Sequence, residues 1–439
     1  MPTPLLDGLR ALVGSDHVLS GVELSPYVVD GRTPEAAVFP GTVDEVAAVV
    51  ARAAEAAVPV IPWGGGTAAS VGGPPARAGV VLGLGRLRAV VEHEPGDLTV
   101  TAQAGLTLSD LQAALRARGQ WLSLDPPDAE RATLGGVLAT NASGPRRQLY
   151  GTARDLLIGA TVVTADGSIV RGGGRVVKNV AGYDLPKLFI GSYGTLGVIV
   201  EATLKLRPVP DDERLVAVRF ERLKDAGSAV RALLGSDLIP NAIDLLDASA
   251  AAALGIDGAP AALVVGFDGL GEQVDWQVAQ LASVVGPGGG ERVTPLAPAA
   301  WSTLPRAAHD ALGTPAAVMT LSVLPTVVAE LMEQGASSAR QRGLASAWSA
   351  HAGVGLVTAA VRAEGDRQDP AALAAVLAEW RSAARAGGGH ASLARAPLAV
   401  KTVLPVWDDA GPAGRIMQRI KAELDPHNVL NPGRFVAGI

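Results

Sequence analysis

The 439-residue chain contains no cysteine, which excludes disulfides, thiolate zinc sites and any iron–sulfur cluster held by its own thiolates. A one-electron relay would have to sit in an organic cofactor or in a partner. Charged residues make up only 18% and the net charge is −6, with no run of Lys or Arg, which argues against a nucleic-acid track or an anionic-membrane patch. No apolar stretch reaches the length of a membrane helix; even "ASAAAALGIDGAPAALVVGF" is broken by Asp257, Gly258 and Pro260. The start, "MPTPLLDGLRALVG", lacks the basic lead and cleavage site of a secretory signal, so the expected location is cytoplasmic, with membrane association only through a complex.

What the chain does have is a 48% apolar content, enough for two or more cores, and abundant glycine and proline. From about residue 27 to 208, helical and strand patterns alternate at short spacing. "TVDEVAAVVARAAEAA" has a helical period with Thr42 as cap, and "VPVIP" follows as a buried strand. "TLSDLQAALRARG" reads as a helix capped by Thr107 and stopped by Gly119, and "ATVVTADGSIV" as a hairpin turning at Asp166-Gly167. Beyond "KLRPVPDD" the pattern changes to long Ala/Leu helices alternating with strands. The expected division is residues 1–208, a second domain over 209–405, and a segment 406–439 that returns to the first.

Three small-residue loops stand out in the first part. "VPVIPWGGGTAASVGGPPAR" places Gly64, Gly65 and Gly66 directly after a strand. A Walker loop would need Gly-Lys-Ser/Thr where Thr67, Ala68 and Ala69 stand. A dinucleotide fingerprint would need a helix where Gly72, Gly73, Pro74 and Pro75 lie, which disfavours it. A phosphate nest or a plain loop remain for this stretch alone. In "ATLGGVLATNASG", Thr133 could cap a helix and leave Gly135 and Gly136 with free amides at its amino end. "GSYGTLGVIVEATLKL" adds Gly191, Gly194 and Gly197. Three such loops together suggest one long ligand threaded between backbones.

"PVIPWGGGT", "ATLGGVLATNASGPRRQLYGTARDLLIGATVVTADG", "GRVVKNVAGYDLPKLFIGSYGTLGVIVEATLKLRP" and "LDPHNVLNPGR" resemble the FAD-dependent oxidoreductases of the vanillyl-alcohol oxidase and p-cresol methylhydroxylase type. "GPRR", "KNVAGYDL" and "GSYGTLGV" are similar to the flavin subunits of bacterial glycolate oxidase, especially the smaller one. The resemblance implies an α+β fold, with a two-subdomain FAD-binding domain and an α+β cap. It implies that Gly64, Gly65, Gly66 and Thr67 hold the pyrophosphate. Pro126, Thr133, Gly135, Gly136 and Thr140 would line the rest of the dinucleotide, with Gly194, Thr195, Gly197 and Ile199 at its adenine or flavin portion. No His lies between His17 and His93, so the FAD is expected to be noncovalent.

The resemblance further implies oxidation of glycolate or another small 2-hydroxy acid, by hydride transfer from its alpha carbon to flavin N5. Electrons would then pass to an iron–sulfur subunit, with a second flavin subunit in the complex. Related 2-hydroxy-acid dehydrogenases carry a segment like H-x-G-D-G-N-x-H. Here "HAGVGLVT" keeps His351, Gly353 and Gly355 but has Val354, Leu356 and Thr358 in place of Asp, Asn and the second His, so no catalytic metal is expected. Two alternatives stand beside this reading: a noncatalytic FAD-binding accessory subunit, and a self-sufficient FAD oxidase for another alcohol. His390, after Gly387–Gly389, is the catalytic candidate, balanced against a solvated loop residue. Lys178, Asn179, Tyr183 and Asp184 are read as loop or partner-facing residues, Arg146 and Arg147 as a surface pair with a phosphate or partner carboxylate as the alternative contact, the seven Trp as packing, and His427 and Asn431 as structural.

Overall fold

Thr42 starts the helix Val43–Glu55 by accepting the Glu45 amide at 3.1 Å, and Val46, Val49, Val50 and Ala53 are buried along one face. Thr107 does the same for Leu108–Arg116 through Asp110, burying Leu108, Leu111 and Leu115. Gly119, with φ at 67°, reverses the chain after it. A computed structural model describes residues 3–77, 79–174, 184–363 and 369–439. It divides into two units: Met1–Ala142 with Thr152–Val209 and Asp409–Ile439, and Ser143–Gly151 with Pro210–Asp408.

The first unit is built on two sheets. One runs β1 (Val18–Leu19), β2 (Ala36–Val38), β4 (Val80–Gly83), β3 (Val60–Trp63), with β2, β4 and β3 parallel. The other is antiparallel and runs β5 (Val90–Glu94), β6 (Thr99–Gln103), β10 (Val198–Lys205), β8 (Leu157–Val163), β9 (Ile169–Gly173). A short pair, β7 (Gln120–Trp121) and β11 (Arg207–Pro208), forms a separate two-stranded sheet. Val163, Val198 and Val200 share a core with Val46, Val60, Val80 and Leu82, so the two sheets close on each other. The C-terminal helix Ala413–Leu424 and the tail after it belong to this unit, tied by Lys421. Its buried ammonium donates to Thr195 O at 2.8 Å, Leu430 O at 2.9 Å and the Asp425 carboxylate at 2.6 Å. Burial pulls the Lys421 pKa down and Asp425 pulls it back up.

The second unit is one eight-stranded sheet in the order β15 (Thr294–Pro295), β12 (Asp212–Phe220), β14 (Ala261–Gly269), β13 (Ala242–Asp247), β17 (Leu344–His351), β18 (Leu356–Ala363), β16 (Ala317–Ser322), β19 (His390–Arg395). One face packs against the helices Leu223–Leu234, Gly271–Val285, Val328–Arg340 and Pro370–Ala386 in the largest core of the molecule. There Trp348 and Trp380 meet edge to face at 4.6 Å. Trp276 departs from the packing expected of the tryptophans: it is 52% exposed.

Segment 143–151, expected with the first 208 residues, groups with the second unit instead. Arg146 is buried, donates to Glu213 of β12 through two nitrogens at 2.7 and 2.8 Å, and stacks 3.7 Å above the Trp301 ring. Tyr150 reaches Asp268 of β14 at 2.5 Å. Arg146 is therefore an internal anchor rather than half of a surface pair.

The Asp166-Gly167 hairpin joins β8 to β9. Asp166 accepts from the Thr164 hydroxyl, the Ser168 amide and the Ser168 hydroxyl, which hold its carboxyl down at about 2. A depressed carboxyl stabilises the fold above its unfolded pKa of 3.8 and loses that contribution as pH falls toward 2. Denaturant midpoints of wild type and Asp166→Asn, followed down in pH, are expected to differ above pH ~4 and converge toward pH ~2. A constant difference contradicts this account of the turn.

Candidate functional site

After Trp63 ends β3, the amides of Gly64, Gly65, Gly66, Thr67 and Ala68 donate to no acceptor among the described residues, five consecutive N–H groups on one loop. The carbonyl side of this loop is occupied: Arg131 donates to Gly65 O at 3.3 Å. The glycines are required by packing. A Cβ on Gly65 would fall 1.7 Å from Arg131 O, and one on Gly64 2.1 Å from the Thr133 hydroxyl. Gly66 takes a φ of 73° beneath the Trp63 ring. Two loops thus run in close contact, leaving the first with a run of amides that suits a diphosphate.

Thr133 caps the helix Leu134–Thr140 as expected, accepting the Gly136 amide at 3.3 Å. The expectation of free amides at this helix end is corrected. Leu134 N donates to Leu106 O, Gly135 N to Ala104 O at 2.8 Å, and Gly136 N to Thr133. Gly135 is glycine because its Cβ would meet Ala104 Cβ at 2.7 Å. Thr140 turns its hydroxyl to Gly136 O, and Pro126 is buried. The third loop is tied to the same helix, Gly191 N to Leu138 O and Tyr193 N to Ala139 O. Gly194, at φ 70°, lies against Pro62 of β3. Gly197 packs on Val162 and Phe189, and Ile199 is buried within β10. Thr195 is fully buried, its hydroxyl on Ser192 O.

The C-terminal tail, expected to return to this unit, fastens these loops together through Arg434, a residue the sequence did not single out. Arg434 donates to Ala69 O, Val71 O and Gly73 O, each at 2.6 Å, and to Asp30 at 3.2 Å. Gly72 and Gly73 are small because Cβ atoms there would strike Arg434 O and Gly433 O. Asn431 N donates to Val60 O of β3, and its side-chain amide to Tyr193 O at 2.7 Å. Asn431 is thus structural as expected, and His427 is exposed.

In the second unit the face of the sheet opposite the main core carries polar groups in cross-strand rows. Asp244 of β13 stands directly opposite His351 of β17, and Asp244 Oδ1 lies 2.5 Å from His351 Nδ1. The row continues through Leu356 and Ser322 to His390. The next row is Ser349, Thr358, Thr320 and Ser392. Asp244 is fully buried, which pushes its carboxyl up against the pull of His351. Its Oδ2, and Oε1 of Gln148 beside Gly353, are buried with no hydrogen-bond partner among the described residues. His390 lies exposed on the edge strand β19. Asp184 pairs with Lys187 at the surface, while Lys178, Asn179 and Tyr183 lie outside the described residues. Among the described residues no cluster of His, Cys, Asp or Glu could hold a metal, and no helix is long and apolar enough to cross a membrane.

The profile of the FAD binding domain matches residues 34–173, and that of the C-terminal domain of FAD linked oxidases matches 209–392 and 410–435. The chain belongs to the FAD-linked oxidoreductases. FAD is its cofactor. It is 36% identical over 214 residues to the glycolate oxidase subunit GlcD of Bacillus subtilis, covering 49% of this chain and 46% of that one. It is 37% identical over 226 residues to a D-lactate dehydrogenase of Archaeoglobus fulgidus, 51% of this chain and 50% of the relative. With a D-2-hydroxyglutarate dehydrogenase of Xanthomonas citri it shares 41% over 204 residues, 46% and 43%. The chain spans about half the length of these curated relatives. A p-cresol methylhydroxylase structure with substrate bound superposes with a TM-score of 0.79 at 19% identity, over 99% of this chain and 96% of that one. An alkyldihydroxyacetonephosphate synthase gives 0.77 at 20%, over 99% and 86%. The fold is the p-cresol methylhydroxylase type.

Gly65→Ala is expected to force the two loops apart and lower the flavin-to-protein ratio after gel filtration. Gly96→Ala, where a Cβ meets nothing within 4 Å, is expected to leave it at the wild-type value. Equal flavin content in both variants would show that the close approach at Gly65 does not matter for FAD.

Proposed function

We propose that the chain is an FAD-bearing subunit of a 2-hydroxy-acid dehydrogenase acting on glycolate or a close relative such as D-lactate. The run of five amides at Gly64–Ala68 carries the flavoprotein part of this reading. The substrate class comes from relatives named for glycolate, D-lactate and D-2-hydroxyglutarate. In this reading the amides hold the diphosphate. Pro126, Thr133, Gly135, Gly136 and Thr140 line the dinucleotide mainly as shape, and the segment Gly194–Ile199 borders its far end. FAD supplies the two-electron oxidising power for a carbon bearing a hydroxyl. It is held noncovalently, since neither Cys nor a His between His17 and His93 is available beside the phosphate loop.

The resemblance to glycolate oxidase flavin subunits supports an iron–sulfur subunit as the electron acceptor, and the cluster sits there because a chain without cysteine has no thiolates to hold one. The similarity of "GPRR" and "KNVAGYDL" to the smaller flavin subunit of glycolate oxidase favours a second flavin subunit in the assembly. We assign the protein to the cytoplasm, meeting a membrane only through these partners.

Visible spectra of the purified chain, taken anaerobically before and after adding glycolate, D-lactate or D-2-hydroxyglutarate, test the proposal. Flavin bands that bleach with one of these acids are expected. Flavin bands that none of them bleaches would overturn the catalytic reading in favour of an accessory subunit, and a folded chain without flavin would overturn the cofactor site.

A further inference from the structure

In the second unit the helix Gly271–Val285 is composed unlike its neighbours. Leu223–Leu234, Val328–Arg340 and Pro370–Ala386, which pack on the same side of the sheet, each carry both acidic and basic residues, as solvated helices do. Gly271–Val285 has no Lys or Arg, and from Trp276 to its end it carries no charge of either sign. Val274, Gln277, Leu281 and Val285 are buried, while Trp276, Ala279, Gln280, Ala282 and Ser283 are exposed. Aromatic, small and charge-depleted, this outer face has the composition of an interface centre rather than of free surface. Trp276 is more than half exposed. So are Leu270, just before the helix, and Ile239, whose amide donates to Gln277 Oε1 of the helix at 2.7 Å.

The distribution of charge and size around this face says what covers it. The acidic residues of the helix, Glu272 and Asp275, lie at its start. Asp275 pairs with Arg214 at 2.5 Å, whereas Glu272 is exposed and has no ion-pair partner among the described residues. At the other end Gly290 N donates to Val285 O at 3.2 Å, which brings the exposed Arg292 beside the helix terminus, also without an ion-pair partner among the described residues. The face therefore runs from an unpaired acid to an unpaired base. Two copies laid antiparallel set Glu272 of each toward Arg292 of the other, and the helix dipoles oppose favourably. A two-fold contact also places residues near the axis against their own kind, so charge there would be repulsive, and the stretch around Ala279 has none. With the axis at Ala279, the ring of Trp276 lies over Ala279, Ala282 and Ser283 of the other copy, whose small side chains leave room for it.

We propose that the outer face of Gly271–Val285 is a self-association surface, on which two copies of this chain pair antiparallel about a two-fold axis at Ala279. The inference stands apart from the substrate reading above. A helix of 15 residues is roughly 22 Å long, so this helix and its flanks bury less than the ~800 Å² per partner of a standard interface. The dimer is accordingly weak, forming in the micromolar range.

The test uses the full chain with FAD bound. Sedimentation velocity over a concentration series is expected to show a reversible dimer in wild type. Trp276→Glu is expected to weaken it by roughly tenfold or more, with flavin content unchanged. Glu272→Arg and Arg292→Glu are each expected to weaken it by about threefold, and their combination to restore it. Because the chain has no cysteine, an introduced thiol is the only one present. Ala279→Cys is expected to form a disulfide-linked dimer under mild oxidation at least about tenfold faster than Ala375→Cys, an exposed alanine on Pro370–Ala386. A wild-type chain that stays monomeric, a dimer as strong in Trp276→Glu as in wild type, or equal cross-linking at the two cysteines would overturn the proposal. Shielding of Trp276 fluorescence that appears only when a different protein is added would also overturn it and assign the face to that partner.

Discussion

The FAD-binding unit depends on one buried guanidinium. Arg434 gathers the carbonyls of Ala69, Val71 and Gly73 on one side of the glycine loop and pairs with Asp30, whose side chain is 7% exposed. Charge-assisted hydrogen bonds of this kind each contribute roughly 1.5–3 kcal/mol, and removing one partner of a buried pair costs roughly 3–5 kcal/mol. With the carbonyls of 69–73 turned toward Arg434, the loop's fixed course leaves the amides of 64–68 without internal acceptors. Lys421 and Asn431 extend the same fastening to Thr195 and Tyr193, so the C-terminal segment from Lys421 onward braces two of the three glycine-containing loops. The third, at Thr133–Thr140, is braced by packing against Gly64 and by the amides of Gly191 and Tyr193.

Much of this was legible in the sequence, for local reasons. Thr42, Thr107 and Thr133 cap the helices they precede, because an N-cap is decided within four residues. Asp166-Gly167 turns a hairpin for a similar reason. The glycine loops stood out in the sequence as a set, but the cause of each glycine was only partly legible. Gly64 and Gly65 are small to admit the 131–133 loop, and Gly72 and Gly73 to admit the tail 360 residues downstream, so packing sets the glycines and the free amides follow.

What stayed hidden is what the tertiary register decides. Adjacent arginines are usually solvated, and nothing near "GPRR" indicates that Arg146 will bury itself over Trp301 against Glu213. His351 was visible within a degraded motif, but its partner Asp244 emerges only when β13 pairs with β17. The hydroxyl row is likewise invisible in a linear reading, since Ser349, Thr358, Thr320 and Ser392 come from four strands and align only through their pairing. His390 follows a glycine run that reads equally as a flexible catalytic loop or a solvated turn, and the structure has it on an exposed edge strand.

The central claim is that the tail makes the flavin loop competent. Arg434→Met keeps most of the side-chain volume while removing the guanidinium, and FAD affinity of the refolded apoprotein, read by quenching of flavin fluorescence, reports directly on the loop. The account predicts roughly tenfold or greater weakening of FAD binding, with the near-ultraviolet signal of the Trp348–Trp380 core unchanged. Wild-type FAD affinity in this variant would contradict it.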